Sequence, residues 1–285
     1  MTTTIFIDGK WHDRSTAMVS VFDHGLLYGD GVFEGMRAYN GKVFKLREHV
    51  ARLFDSAHCI ALTPPMSQEE LVQLTEEGVR KSGLKDAYLR HIITRGAGDL
   101  GLDPRKCPTP SVLIIVDQIK LWSPERYEQG LNVVTAATPI PQKESLSPRV
   151  KSLNYLCHIL AKIEGTNAGA DEVLMMDSSG TVVEASGMNV FVVKNRELFT
   201  PAPHAGILKG ITRDTVIELA RAGGMTVHET VLNRYDIYTA DEAFLTGTAA
   251  EIAAIRQLDG RTVGEGRQGP VTRDLSLKFH AYVRD

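Results

Sequence analysis

Apolar and polar residues alternate over residues 4–11, with a turn signal at Asp8–Gly9, so the segment reads as a strand. Over 31–46, GVFEGMRAY and KVFKL alternate on either side of Asn40–Gly41, the strongest short hairpin signal. Val50, Leu53, Phe54 and Ala57 then recur at helical spacing and predict a helix over 47–60, ended by Pro64–Pro65. Ser67 and Glu70 form a capping-box pattern opening a second helix, to about Ser82. Strands over 86–95 and 111–118 complete a first α+β segment ending near residue 120.

The polar stretch LWSPERYEQG (121–130) breaks this pattern and reads as an interdomain linker. Beyond it the chain predicts a strand over 131–138 and a helix over 153–167, whose Leu156, Ile159, Leu160 and Ile163 would face a core. Strands follow over 171–177, 181–185, 189–194 and 197–200, with turns at Ser178–Gly180 and Asn195–Arg196. Then come a helix from Ile211–Thr212, a strand over 225–232, a short helix near 234–239, a strand over 242–247 and a C-terminal helix. The stretch Thr246–Glu251 reads as a loop leading into helical structure. There is no internal repeat and no low-complexity segment. The expected organisation is α+β in two domains, 1–120 and 131–285, joined by 121–130.

Composition narrows the function classes. The formal charge of −3 over 285 residues gives no electrostatic reason to expect nucleic acid or an anionic membrane. No apolar run is long enough to span a bilayer, and the first residues do not read as a signal peptide. Cys59, Cys107 and Cys157 are sparse and dispersed, which fits reduced thiols in a cytoplasm. The histidines form no HExxH pattern and no closely spaced ligand pair, so no metal is expected.

Five features bear on chemistry. Gly96-Ala97-Gly98-Asp99-Leu100-Gly101 matches the dinucleotide fingerprint in letters, but LDPRKCPTP follows it. The fingerprint must open a helix, and those prolines make a loop instead. Gly206–Asp214 is a glycine-containing loop that runs into an apolar-faced helix, and such a helix N-terminus suits a phosphate. Thr246-Gly247-Thr248-Ala249 is a second loop rich in donors. Lys151, one of 13 lysines, stands between a strand and a helix, where burial near Arg149 would favour Schiff-base chemistry. Glu184 closes a β-branched strand before a Ser/Gly bend, and a buried acid there needs a partner: an arginine, or a protonated pyridine nitrogen.

Together these segments resemble the class IV, or fold-type IV, pyridoxal-phosphate (PLP) enzymes. The stretch from Glu184 to Arg213 carries the signature: E-x-S-x-x-N-V-F, then Leu198-x-Thr200, then Leu208-x-Gly210-Ile211-x-Arg213. The likeness covers essentially the whole chain. It implies a small α/β two-layer N-terminal domain and a larger, β-barrel-like C-terminal domain carrying the PLP lysine. It further implies that Lys151 binds PLP covalently and that Glu184 pairs with the pyridine nitrogen. Tyr155 would hydrogen-bond the phenolic oxygen. Arg52 would bind the phosphate, and Leu208, Gly210, Ile211, Thr212 and Thr248 would form the rest of the cofactor cup. A cationic fork suits phosphate, and a carboxylate opposite a pyridinium raises that nitrogen's pKa.

Within the class the chain most resembles branched-chain-amino-acid aminotransferases, in Tyr28–Tyr39, in Tyr88-Leu89-Arg90 and in Gly247–Glu251. Residues 88 and 90 share one strand face. The resemblance implies that Arg90 meets the side-chain carboxylate of glutamate and Tyr88 the substrate's own carboxylate. Tyr28, Phe33 and Gly35 would line an apolar pocket, while Thr248 and Ala249 would contact substrate. It also implies ping-pong transamination of leucine, isoleucine and valine with 2-oxoglutarate, in at least a homodimer. The alternatives are a D-amino-acid or (R)-amine transaminase, or an enzyme like aminodeoxychorismate lyase. Met188 and Ala185 depart from the common pattern beside Glu184.

Overall fold

The computed structural model describes residues 3–285, which form two compact units. Unit 1 runs to Ile119 and also includes Val150–Asn154; unit 2 holds Lys120–Arg149 and Tyr155–Asp285.

Unit 1 contains β1 (Thr4–Ile7), β2 (Lys10–His12), α1 (His24–Tyr28), β3 (Gly31–Tyr39), β4 (Lys42–Val43), α2 (Leu46–Cys59), α3 (Gln68–Ser82), β5 (Ala87–Thr94) and β6 (Ser111–Asp117). Asp8 and Gly9, both at positive φ, make the expected turn, and the segment over 4–11 is a hairpin of β1 and β2. Asn40 and Gly41, at φ 51° and 82°, make the β3–β4 turn. The six strands form an antiparallel sheet in the order β2-β1-β6-β5-β3-β4. The capping box at Ser67 and Glu70 starts α3. Leu46, Val50, Leu53 and Ala57 of α2 and Leu71, Val72 and Val79 of α3 pack with Val32, Met36, Leu89, Ile93, Ile114 and Val116 of the sheet. Gly96–Gly101 is loop followed by a 3-10 turn at Pro104–Lys106, so the glycines do not open a helix.

Unit 2 contains α4 (Pro124–Gln129), β7 (Leu131–Thr135), α5 (Leu156–Asn167), β8 (Glu172–Met176), β9 (Val182–Ala185), β10 (Asn189–Lys194), β11 (Glu197–Pro201), α6 (Ile211–Ala222), β12 (Val227–Thr230), α7 (Arg234–Tyr238), β13 (Glu242–Gly247), β14 (Glu251–Leu258), β15 (Arg261–Thr262) and α8 (Pro270–Tyr282). Its mixed sheet runs β12-β11-β10-β13-β14-β7-β8-β9, with β15 added to β14. The sheet curls so that its end strand β9 contacts β10 and β11, a half-barrel lined by Leu131, Val133, Leu174, Val190, Leu245 and Ile255.

Four expectations are corrected. The segment 121–130 holds a helix, capped by Ser123 and opened by Pro124, and belongs to unit 2. The PLP lysine of the expected C-terminal domain, Lys151, lies in unit 1 instead, because residues 150–154 hydrogen-bond to unit 1 strands. The stretch after Thr248 is not helical: Glu251, at φ 57°, closes a tight turn and the chain returns as β14. Its Ala/Ile run is buried on both faces of a central strand, which erases the period-two signal. Finally, Leu156, Ile159, Leu160 and Ile163 of α5 are 66%, 53%, 46% and 50% exposed; the helix packs through Ala161 and Gly165 instead. Gly165 admits Val173, whose Cγ1 would lie 2.5 Å from a Cβ there.

Among the described residues, no helix is long and apolar enough to cross a membrane, and no cluster of His, Cys, Asp and Glu is placed to hold a metal.

Candidate active site

The lysine-bearing segment in unit 1 is laid along the start of β3. Phe33 N–H donates to the Lys151 carbonyl and Leu153 N–H to the Gly31 carbonyl, each at 2.9 Å. Ser152 forms an isolated antiparallel bridge with Val32. Lys151 N–H donates to Ser56 Oγ at 3.2 Å, and Asn154 Nδ2 to the Gly29 carbonyl at 3.1 Å. These bonds fix the backbone on both sides of Lys151, so its side chain starts from a rigid base. Gly31 is needed for the approach: a Cβ there would stand 2.7 Å from Leu153 Cδ1 and 2.7 Å from the Ile93 carbonyl oxygen.

Lys151 Nζ lies 4.6 Å from the Phe33 ring centroid, and Arg90 Cζ lies 4.6 Å from the same ring. Such cation–ring contacts are favourable. Arg90 Nη2 donates to Tyr88 Oη at 3.0 Å. In the β3–β5 register Gly35 stands opposite Arg90, and Tyr88 reaches across it; a Cβ on Gly35 would lie 2.4 Å from Tyr88 Oη. Phe33, Gly35, Tyr88, Arg90 and Lys151 are therefore brought together. Tyr28 is engaged elsewhere, its hydroxyl donating to the Leu100 carbonyl at 2.6 Å.

Arg52 is on α2, where its guanidinium grips Glu34 side-on, Nε to Oε1 at 2.6 Å and Nη2 to Oε2 at 2.8 Å. His49 Nδ1 contacts Glu34 Oε2 at 2.8 Å. Burial alone would push the Glu34 carboxyl up, but the Arg52 charge and the His49 and Arg52 hydrogen bonds outweigh it and hold the group well below the usual carboxylate range. Burial pushes His49 down, against the pull of Glu34, so His49 is neutral and its Nδ1–H donates to the carboxylate.

The remaining residues belong to unit 2. Glu184, buried at the end of β9, accepts from Leu208 N–H at 3.1 Å and from Asn189 Nδ2 at 3.3 Å, both at Oε2. Asn189 also donates to the Leu208 carbonyl at 2.9 Å, tying the acid to the loop that opens α6. Gly210 ends that loop, and a Cβ there would sit 2.1 Å from Asn189 Oδ1. Gly210 is the N-cap of α6 and provides no side-chain cap, so the first N–H groups, at Ile211 and Thr212, lack a capping oxygen. Thr212 is buried. Asn189 stands opposite Thr246 across β10 and β13, and Thr246 Oγ is buried with no hydrogen-bond partner. Thr248 and Ala249 follow in the β13–β14 turn. Tyr155, at the N-cap of α5, stacks on His158 at 4.5 Å. Met188 packs over Gly247, and Ala185 is fully buried in the half-barrel. Arg213 ends the signature, yet its guanidinium serves the Pro201 carbonyl, Asp214 and Glu229.

The donor set of unit 2 fits PLP. An uncapped helix N-terminus suits a phosphate, an anchored buried carboxylate suits a pyridinium, and the unpaired Thr246 hydroxyl awaits a polar partner. Reading the sequence by motif missed Glu34 and His49, placed Thr246 only as part of a donor-rich loop, and gave Asn189 no role. Asn189 was visible as the asparagine of E-x-S-x-x-N, whereas Glu34 lay inside the FEG stretch with no local signal of its own.

Comparison with known proteins completes the picture. Residues 31–258 match the model of the family Amino-transferase class IV. The chain is 49% identical over 275 residues to a Methanocaldococcus jannaschii protein, covering 96% of this chain and 94% of that one. It is 38% identical to the branched-chain-amino-acid aminotransferase of Pseudomonas aeruginosa, covering 98% and 92%. The solved structure of a T.th. branched-chain amino acid aminotransferase with pyridoxamine 5'-phosphate superposes with a TM-score of 0.95 at 34% identity, covering 100% of this chain and 96% of that one. That same enzyme has been solved with N-(5'-phosphopyridoxyl)-L-glutamate and with 4-methylvaleric acid. The chain belongs to the class IV aminotransferases.

Proposed function

We propose that this protein is a PLP-dependent aminotransferase that exchanges the amino group of leucine, isoleucine or valine with 2-oxoglutarate. The observation that carries the substrate reading is the pairing in unit 1 of an apolar ring, Phe33, with a guanidinium, Arg90, beside Lys151. A transaminase of this kind must take an apolar side chain in one half-reaction and a carboxylate in the other, and these two groups provide for both. The T.th. relative has been solved with a glutamate adduct and with a branched acid, the same two substrate classes.

When bound, PLP supplies an electron sink conjugated to the substrate's α-carbon. Lys151 would hold the cofactor, and its amine, when neutral, would move the proton at the substrate Cα. Glu184, fixed by Asn189 and Leu208, holds a proton at the ring nitrogen. Tyr155 is assigned to the phenolic oxygen. Arg52, Gly210, Ile211, Thr212 and Thr248 are assigned to the phosphate. Arg90 receives the distal carboxylate of 2-oxoglutarate, and Tyr88 and Ala249 orient the carboxylate shared by all substrates.

A homodimer, or a larger assembly built on one, goes with this reading. The four exposed apolar residues along one face of α5 are a patch that a second copy would cover. A cytoplasmic location fits the three free cysteines.

The decisive experiment is a substrate panel on the PLP-loaded protein with L-leucine, D-alanine and an aromatic amine. Turnover of L-leucine far above the other two is the expected result; preference for D-alanine or the amine would replace the substrate reading. Lys151→Ala should abolish the visible absorption of the bound cofactor, and a retained band would remove Lys151 from its role.

A further inference from the structure

We infer that Glu34 and His49, neither of which carries an assigned role, form a buried positioning device for the Arg52 guanidinium. The inference rests on the reading of Arg52 as a phosphate ligand.

Glu34 sits where a carboxylate is out of place. Along β3, Val32 and Met36 share its sheet face and are fully buried in the unit 1 core, and Glu34 itself is 0% exposed. An apolar residue of similar volume would serve folding there at least as well, since replacing a buried ion pair by packed hydrophobic residues is often neutral or stabilising. The carboxylate therefore calls for another explanation, and its contacts suggest one.

Arg52 is a long side chain at the edge of this core, 17% exposed. Left to itself it would sample many rotamers. The two Glu34 oxygens take Nε and Nη2 in a planar fork at 2.6 and 2.8 Å, which fixes both the reach and the plane of the guanidinium. Because the group is planar, the edge carrying Nη1 is then turned away from Glu34, in a set direction. His49 Nδ1–H, from the preceding turn of α2, holds Oε2 at 2.8 Å and keeps the carboxylate from swinging out of the fork. A third layer stands behind it. His91 lies opposite Glu34 in the β3–β5 register and is fully buried. Thr75 Oγ spends its proton on the Leu71 carbonyl at 2.5 Å, so its 3.0 Å contact with His91 Nε2 is one in which the histidine donates. Burial pushes His91 down and so disfavours its charged form, which leaves no second positive charge to compete with Arg52 for Glu34.

Glu34→Gln tests this. The amide keeps the shape but sets an N–H against one of the donors that now converge on the carboxylate. Cofactor would be removed from the purified enzyme, and its affinity measured for PLP and for pyridoxal, which lacks the phosphate. Fixing Arg52 matters only to the phosphate, so the PLP-to-pyridoxal affinity ratio should fall about tenfold, the worth of one well-aligned charge-assisted hydrogen bond. A fall of less than about threefold, or an equal loss for both ligands, overturns the inference. Arg52→Ala, measured alongside, separates the two layers. If it leaves the ratio unchanged, the phosphate reading of Arg52 itself fails. If it lowers the ratio and Glu34→Gln does not, only the positioning role fails. His49→Leu leaves the Glu34–Arg52 pair in place and should shift the ratio in the same direction by a smaller factor; should Glu34→Gln not fold, an unchanged ratio in His49→Leu overturns the inference in its place.

Discussion

The close approach of Tyr88 to Gly35 provides a sharp test of the substrate pocket. In Gly35→Ala the new Cβ would lie 2.4 Å from Tyr88 Oη, 3.2 Å from Cζ and 3.6 Å from Cε2, against 3.4 Å or more for an ordinary contact. The hydroxyl must therefore move by about 1 Å, while the ring carbons need almost no adjustment. A shift of that size takes the 3.0 Å bond from Arg90 out of hydrogen-bond range. A bond from a charged donor contributes about 1.5–3 kcal/mol, and the lower end applies to half-buried groups such as these. Gly35→Ala should thus cost about tenfold in kcat/KM with L-leucine, through the displaced Tyr88 hydroxyl, and more with 2-oxoglutarate, through Arg90 as well. The structure makes a stricter demand. In a Tyr88→Phe background there is no hydroxyl to strike, so adding Gly35→Ala should change kcat/KM by less than about twofold. The four enzymes of the cycle, assayed in separate half-reactions, decide the matter. If the two substitutions are additive, the hydroxyl is not what the glycine accommodates, and the account of this pocket is wrong.

Two other outcomes follow from the same geometry. Gly31→Ala drives a Cβ into Leu153 and the Ile93 carbonyl, so it should push the Lys151 segment off β3. Because displacing a reacting group by about 1 Å can cost about 100-fold, kcat should drop for every amino donor alike while the cofactor absorption band persists; loss confined to one substrate would contradict this. Acid should unfold unit 1 early. Burial pushes His91 down from 6.5 to about 3, so the unfolded chain binds the extra proton first, and stability is lost as pH falls from about 6.5 toward 3. Glu34 is also held low, so its contribution is present above its ordinary value of 4.5 and is lost as pH falls below it. Urea midpoints measured between pH 7 and 4 should fall steadily, and His91→Leu should flatten the upper part of that fall; an unchanged profile in the variant would refute the assignment.

Much of the fold was legible because its signals are local. Asn40–Gly41 demands a turn by its own backbone preferences, and Ser67 with Glu70 caps a helix within four residues. What failed were features set by distant partners. Leu156, Ile159, Leu160 and Ile163 recur at helical spacing, but Ala161 and Gly165 face the sheet because only small residues allow Val173 so close. The strand β14 reads as helical because a central strand needs no alternation. The site divides in the same way. Glu184, Asn189 and Leu208–Thr212 are ordered by a signature whose spacing is preserved in the chain, so letters alone brought them together. The fork between Glu34 and Arg52 joins residues 18 apart on a strand and a helix, and no spacing rule announces it.

The placement of Val150–Asn154 has a consequence for how the chain is made. Gly31–Phe33 lies beyond the reach of β4, which pairs only with Ala38 and Tyr39, and this open stretch of β3 is covered by the Lys151 segment. During synthesis the ribosome must add roughly 35 residues between Ile119 and Asn154 before that cover exists, an interval of about 2–7 s at ordinary translation rates. For that time unit 1 carries an unprotected strand edge, the kind of surface on which nascent chains pair with one another. Lys151 thus lies on the last stitch of the first unit, and slow translation or a stalled chain before Asn154 would leave a fragment prone to aggregate.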